Sequence, residues 1–173
     1  MAKNIGKAVA VAVTMLGLGG AAPASAGPTE QALLANYIGN WRGESVLQGG
    51  DSPEPFRCRL SVSSGNQGKI NYTGRCALIN MNLSVSGTIA FVEARGHYEA
   101  VMTSNAGFSG TAVGQQRGNQ IGFDLVERQR DRGGNDVQIG SRLFLIGDQI
   151  TVEFQVEFNN SGELLTASVP FSR

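Results

Sequence analysis

Residues 80–91, NMNLSVSGTIAF, place Met81, Leu83, Val85, Gly87, Ile89 and Phe91 at alternate positions, with Asn80, Asn82, Ser84, Ser86 and Thr88 between them. A helix would scatter these apolar residues around its circumference, so the period of two predicts a strand. The same alternation recurs along the chain. Phe56, Cys58, Leu60 and Val62 alternate with arginine and serine, and Ile70, Tyr72, Gly74 and Cys76 with Asn71, Thr73 and Arg75. Further on, Tyr98, Ala100 and Met102 share a face, as do Ile121, Phe123 and Leu125. Residues 137–146 are apolar on both sides, and Ile150, Val152, Phe154, Val156 and Phe158 oppose Thr151, Glu153, Gln155 and Glu157. Leu165, Ala167, Val169 and Phe171 close the series.

Turn-forming clusters separate these runs: SGNQGK, EARG, SNAGFSG, RGN, RDRGGND, GDQ and NNSG. With a first strand over residues 41–47, this makes about ten strands joined mostly by hairpin-length turns. Successive hairpins make an antiparallel up-and-down meander. Its single apolar face has to be covered, and closure into a barrel of about 8–10 strands covers it and removes the free edges. A two-sheet sandwich is the competing arrangement. The class is therefore all-β, with a short N-terminal helical turn.

The first segment has the form of an export leader. Lys3 and Lys7 precede a short apolar run, and ASA at residues 24–26 offers small residues for cleavage before Gly27. Three segments are expected: a signal peptide at 1–26, an N-terminal arm or short helix at 27–38, and a β-barrel domain at 39–173. In the arm, Ala32, Leu33 and Ile38 would supply a small apolar face. Cleavage takes 26 of 173 residues and leaves 147, enough for one domain with a real core. It also leaves 12 basic side chains against 14 acidic ones, which argues against nucleic acid and anionic membranes as default partners. No later stretch approaches the roughly 18 apolar residues of a transmembrane helix. A membrane-spanning barrel would carry aromatic girdles, and these are absent. The expected location is the periplasm or the exterior of a bacterial cell.

Two cysteines, Cys58 and Cys76, follow the leader, and in an exported chain an even pair reads as a disulfide. If the turn between their strands centres on Gln67, Leu60 faces Gly74, Val62 faces Tyr72 and Cys58 faces Cys76. Such a cross-strand bond would contribute about 3 kcal/mol by loop entropy. Two free buried thiols are the alternative.

Gly39-Asn40-Trp41, at the start of the first strand and after a short N-terminal turn, resembles the G-x-W signature of lipocalins and the wider calycin group. The resemblance implies a small antiparallel barrel that binds apolar molecules inside, with Trp41 packed across its closed end. A direct contact of Trp41 with ligand is the other reading. No T-D-Y-type motif follows at mid-barrel. The early tryptophan, CRL, GRC and the string of hairpins are also similar to a family of small exported bacterial proteins. An early tryptophan with a disulfide resembles, too, the small periplasmic inhibitors of secreted metalloproteases, which act through a free N-terminal trunk. That resemblance implies a partner protein in the envelope or outside the cell.

Catalytic chemistry has little to stand on. His97 is the single histidine; it sits beside a turn and alternates away from Tyr98, so it is expected at the surface. No H-x-H, H-E-x-x-H or C-x-x-C spacing occurs, so neither a metal nor another cofactor is expected, and no catalytic residue is assigned. GFSGTAVG lacks the ending of a phosphate loop and reads as a hairpin, and RQRDRGGND as a solvated turn.

Two functions from different classes remain. One is a binding module for a small apolar ligand, contacted by Trp41, Tyr72, Phe91, Tyr98, Met102, Phe123 and Phe154 on the inward faces. The hydroxyls of Tyr72 or Tyr98 would anchor the guest, and no charged side chain shares the lining. The other is a protein-interaction or inhibitor module acting through loops and the N-terminal arm. Whether the interior is hollow or packed is open at this level.

Overall fold

In the computed structural model, described for residues 27–79, 81–130 and 134–173, one helix precedes ten strands. They are α1 (Gly27–Ala35), β1 (Gly39–Leu47), β2 (Glu54–Ser64), β3 (Ile70–Ala77), β4 (Asn82–Val92) and β5 (His97–Ser104). Then follow β6 (Ser109–Arg117), β7 (Gln120–Arg130), β8 (Asp136–Ile146), β9 (Gln149–Phe158) and β10 (Glu163–Ser172). The expected leader, residues 1–26, lies outside the described residues, as do Asn80 and the tip of the RQRDRGGND turn.

Every strand pairs antiparallel with its sequence neighbours, and β1 meets β10, so the sheet is a closed up-and-down barrel rather than a sandwich. The closing seam pairs Arg42 with Ser172 and Gly43 with Phe171. Ser45 Oγ adds a bond to the Ser168 carbonyl at 2.6 Å. Closure follows from the alternation: apolar residues at every second position of ten strands need a common interior. Phe56, Ile89, Ile121, Leu145, Ile150 and Val169 all turn into it and are buried. The β2–β3 register is the one that aligns the cysteines: Leu60 faces Gly74, Val62 faces Tyr72, and Cys58 faces Cys76. The Cys58–Cys76 disulfide is formed, with Cα atoms 4.0 Å apart.

One local expectation changes. The buried face of the N-terminal arm is Leu34 with Tyr37, while Ala32 and Ile38 are exposed. The helix ends at Ala35, so the residue that follows it down onto the core is Tyr37 from the turn, not Ile38. His97 lies on the outer face, alternating away from buried Tyr98, and is partly covered there, with Glu99 meeting its Nε2 at 3.0 Å.

Candidate functional site: the barrel interior

One end of the barrel is stoppered. α1 lies against β4 and the β2–β3 turn, and leads directly into β1. Trp41 is only 1% exposed; its Nε1 donates to the Tyr37 carbonyl at 2.9 Å, which ties the strand to the segment before it. The guanidinium of Arg173 covers the Trp41 ring at 4.4 Å and also donates to the Asn36 carbonyl. Buried Leu34 and Tyr37 complete the stopper, and beside them Phe91 meets Tyr98 edge-on at 5.1 Å.

Beyond this layer the interior is hollow. The cavity holds about 350 Å³ and its lining contains no charged side chain. That volume lies within the range of roughly 300–1,000 Å³ typical of small-molecule pockets. Tyr72, Met102, Phe123 and Phe154 line it; Trp41, Phe91 and Tyr98 do not. All seven side chains are on the inward face, but these three sit at the level of the stopper, where large rings fill the section of the barrel. The lining continues through Leu78, Met81, Phe108 and Phe158 to the other end, so that end is the mouth. The Cys58–Cys76 bridge is itself part of the lining.

Two inward glycines shape the cavity wall. A Cβ on Gly87 would lie 2.0 Å from the Val101 carbonyl and 2.5 Å from the Tyr72 hydroxyl. Without it, Tyr72 Oη donates across the strand to that carbonyl at 3.2 Å. The Tyr72 hydroxyl is thus engaged by the wall itself. A Cβ on Gly114 would lie 2.4 Å from the Phe123 ring, so this glycine gives Phe123 its place between neighbouring strands.

The titratable groups of the interior are phenols. Burial pushes Tyr72 up to about 12. Burial first, then the nearby Glu30 and Tyr37, push Tyr98 up to about 12 as well. Tyr37 is raised by burial and by Asp148. All three stay neutral at physiological pH. Glu99, at the surface, is lowered chiefly by its hydrogen bond with His97. Among the described residues no group of three or more His, Cys, Asp or Glu could hold a metal ion.

The wall is not uniform. β7 and β8 pair along their full lengths, from Gln120↔Ile146 to Arg130↔Asp136. The β6–β7 ladder runs only from Arg117↔Gln120 to Gly114↔Phe123. Nearer the mouth, the Ser109 amide donates instead to a Glu127 carboxylate oxygen at 2.9 Å. Nothing in the alternation of β6 or β7 marks this change; GTAVG simply reads as a weak strand.

This geometry has counterparts among solved structures. The crystal structure of Rv2717c from M. tuberculosis superposes with a TM-score of 0.63 at 16% identity, covering 84% of this chain and 97% of that one. The S-type phycobiliprotein lyase CPES from Guillardia theta superposes with a TM-score of 0.52 at 10% identity, covering 83% and 90% respectively. At such identities the likeness is one of fold: a calycin-like closed barrel. No protein-family model and no curated protein sequence matches the chain.

Proposed function

We propose that the protein is an exported, non-catalytic carrier whose barrel holds one small, mainly apolar molecule. The observation that supports this most is the cavity of about 350 Å³ with no charged lining residue. An apolar guest gains by leaving water there, at about 25 cal/mol for each Å² buried. An ionic guest would be buried without a partner and is disfavoured. Tyr37, whose buried hydroxyl has no hydrogen-bond partner among the described residues, and Ser141 are the lining hydroxyls placed to orient a polar end of the guest, since Tyr72 Oη donates to the Val101 carbonyl and Ser104 Oγ accepts from the Ala106 amide.

Several features favour a soluble carrier. Charged residues such as Arg59, Arg75, Arg142 and Glu153 occupy the alternate, outer positions, and the apolar ones face inward. A barrel that spans a bilayer has the reverse pattern. Among the described residues no helix is long and apolar enough to cross a membrane. The disulfide and the leader-like segment 1–26 favour export to an oxidising compartment. The similar phycobiliprotein lyase shares the closed-barrel fold, and that likeness of fold is what it lends to the carrier reading. The inhibitor reading has less behind it. An inhibitory trunk has to be free, and residues 34–37 are anchored to the barrel through Leu34 and Tyr37.

Native mass spectrometry of the protein purified from its host tests the proposal. A folded monomer carrying one added small mass, released by organic solvent, is expected. A monomer of bare-chain mass that takes up no apolar compound from a panel of fatty acids, retinoids and other apolar ligands would remove the carrier reading.

A further inference from the structure

A second concavity lies on the outside of the barrel, across β1 to β5, and holds about 770 Å³. Its floor is the strip Trp41, Leu60, Gly74, Val85 and Ser104, whose side chains are on the inward face. Its walls are the outward residues on either side of that strip. On one wall Arg42 is paired with Arg59, and Arg59 with Arg75, which is followed by Ser84. On the other, Asn40, Ser61, Thr73, Ser86 and Thr103 stand in one continuous row.

The arginine row is unusual in its surroundings. Three guanidinium side chains occupy directly opposed positions on adjacent strands, where like charges destabilise a sheet. Among the described residues none of the three has an acidic partner. The acid in the next outward position, Glu44, is paired with Arg57 at 3.0 Å. No acidic side chain lines the groove. Elsewhere on the outer surface several arginines do meet acids, as in Arg142 with Glu153 at 2.9 Å and Arg130 with Asp136 at 3.2 Å, and no other three basic residues stand directly opposed on adjacent described strands. An uncompensated row costs stability in the free protein, and a bound anion removes that cost.

We infer that this groove is a binding site for a phosphate-bearing polyol, its phosphates on Arg42, Arg59 and Arg75 and its hydroxyls on the serine and threonine wall. The guanidinium fork matches phosphate oxygens in bidentate fashion. Strand spacing sets the three backbone positions about 4.8 Å apart, so the row is roughly 10 Å long at its base and has room for two phosphates. The facing wall offers groups that both donate and accept, which suits the hydroxyls of a sugar. No exposed aromatic or aliphatic side chain lines the groove, which leaves a peptide side chain or a lipid tail without a foothold. The groove opens on the opposite face of the wall from the cavity, with Leu60, Val85 and Ser104 common to both linings, and its arginine row does not depend on the carrier reading.

Titration with fructose 1,6-bisphosphate at low salt, read by calorimetry and by the thermal unfolding midpoint, tests the inference. One-to-one binding at least about tenfold tighter than that of inorganic phosphate is expected, with a rise in the midpoint. Arg59→Ser should weaken binding about tenfold or more. Without ligand, the same variant should unfold at a temperature no lower than the unaltered protein, because a like-charge contact is gone. Arg142→Ser, on β8 and outside the groove, should leave binding unchanged. Vesicles of phosphatidylcholine with phosphatidylinositol 4-phosphate provide a second arm. Sedimentation of the protein with them, competed by the bisphosphate, would show that the phosphates come on a lipid headgroup. Sedimentation without such competition would overturn the inference. So would the absence of saturable bisphosphate binding, equal binding by Arg59→Ser, equal loss in Arg142→Ser, or tighter binding of a polyglutamate peptide.

Discussion

At one end of the barrel Leu34, Tyr37 and Trp41 are almost wholly buried, whereas at the other Ile79 is 72% exposed and Met81 49%. The same alternating strands build both ends, so the difference lies in what reaches each one. The stoppered end receives the helix, the largest rings and the Arg173 guanidinium. The mouth receives aliphatic side chains of medium size, the disulfide, and a β6–β7 ladder that stops short. Packing holds the first and a covalent bond holds the second. A hollow barrel needs both: a fixed end to keep the strands in register, and a less filled end that leaves room and gives access.

Substitutions at the stopper are expected to have the largest effects. Trp41→Ala should cost about 3–5 kcal/mol in a urea titration, since it empties a fully buried site and removes the bond to the Tyr37 carbonyl. A loss below about 1 kcal/mol would mean that the end is less rigid than its burial implies. At the other end, replacing Cys58 and Cys76 together by serine should cost about 3 kcal/mol, the value expected for a bridge that closes a loop with a sequence separation of 18. Apolar probe binding should weaken with it, because the bridge is part of the lining.

Alkaline pH compares the two levels of the interior through their phenols. The folded-state values of Tyr72 and Tyr98 lie near 12, above the ordinary value of 10. Their contribution is therefore fully present below pH 10 and is lost as pH rises from 10 towards 12, by on the order of 2 kcal/mol for each phenol. Stability measured from pH 8 to pH 12 should be flat and then fall, and Tyr72→Phe should reduce the fall. At neutral pH Tyr72→Phe should cost about 1 kcal/mol, the worth of its bond to the Val101 carbonyl. Tyr98→Phe should cost less, since Tyr98 Oη has no hydrogen-bond partner among the described residues. Equal costs would show that the two hydroxyls are held alike. The smallest effect belongs to the mouth: Ile79→Ser should change stability by no more than about 0.5 kcal/mol.

Much of this architecture is legible in the residues. Period-two alternation marks the strands, and the symmetric turn around Gln67 aligns Cys58 with Cys76. That same register sets Arg59 against Arg75, so half of the arginine row is legible in the residues. Its other half, Arg42 opposite Arg59, depends on a loop that carries no symmetric turn signal. Alternation tells which face a side chain takes but not its depth along the barrel. Trp41, Phe91 and Tyr98 therefore look equivalent to Tyr72 and Met102 in sequence, although they sit in the stopper. Whether the interior is hollow depends on the summed volumes of ten strands across the barrel, and no short stretch of sequence contains that sum.

Filling the cavity from within tests the central claim most directly. Met102 lies on the lining, opposite Gly87 and Gly110, so Met102→Trp places bulk in the space itself. An apolar fluorophore titrated into the unaltered protein should show saturable one-to-one binding, and the variant, folded by circular dichroism, should lose it about tenfold or more, the equivalent of 1.4 kcal/mol. No binding to the unaltered protein, or equal binding to both, would contradict a hollow barrel that holds its guest inside.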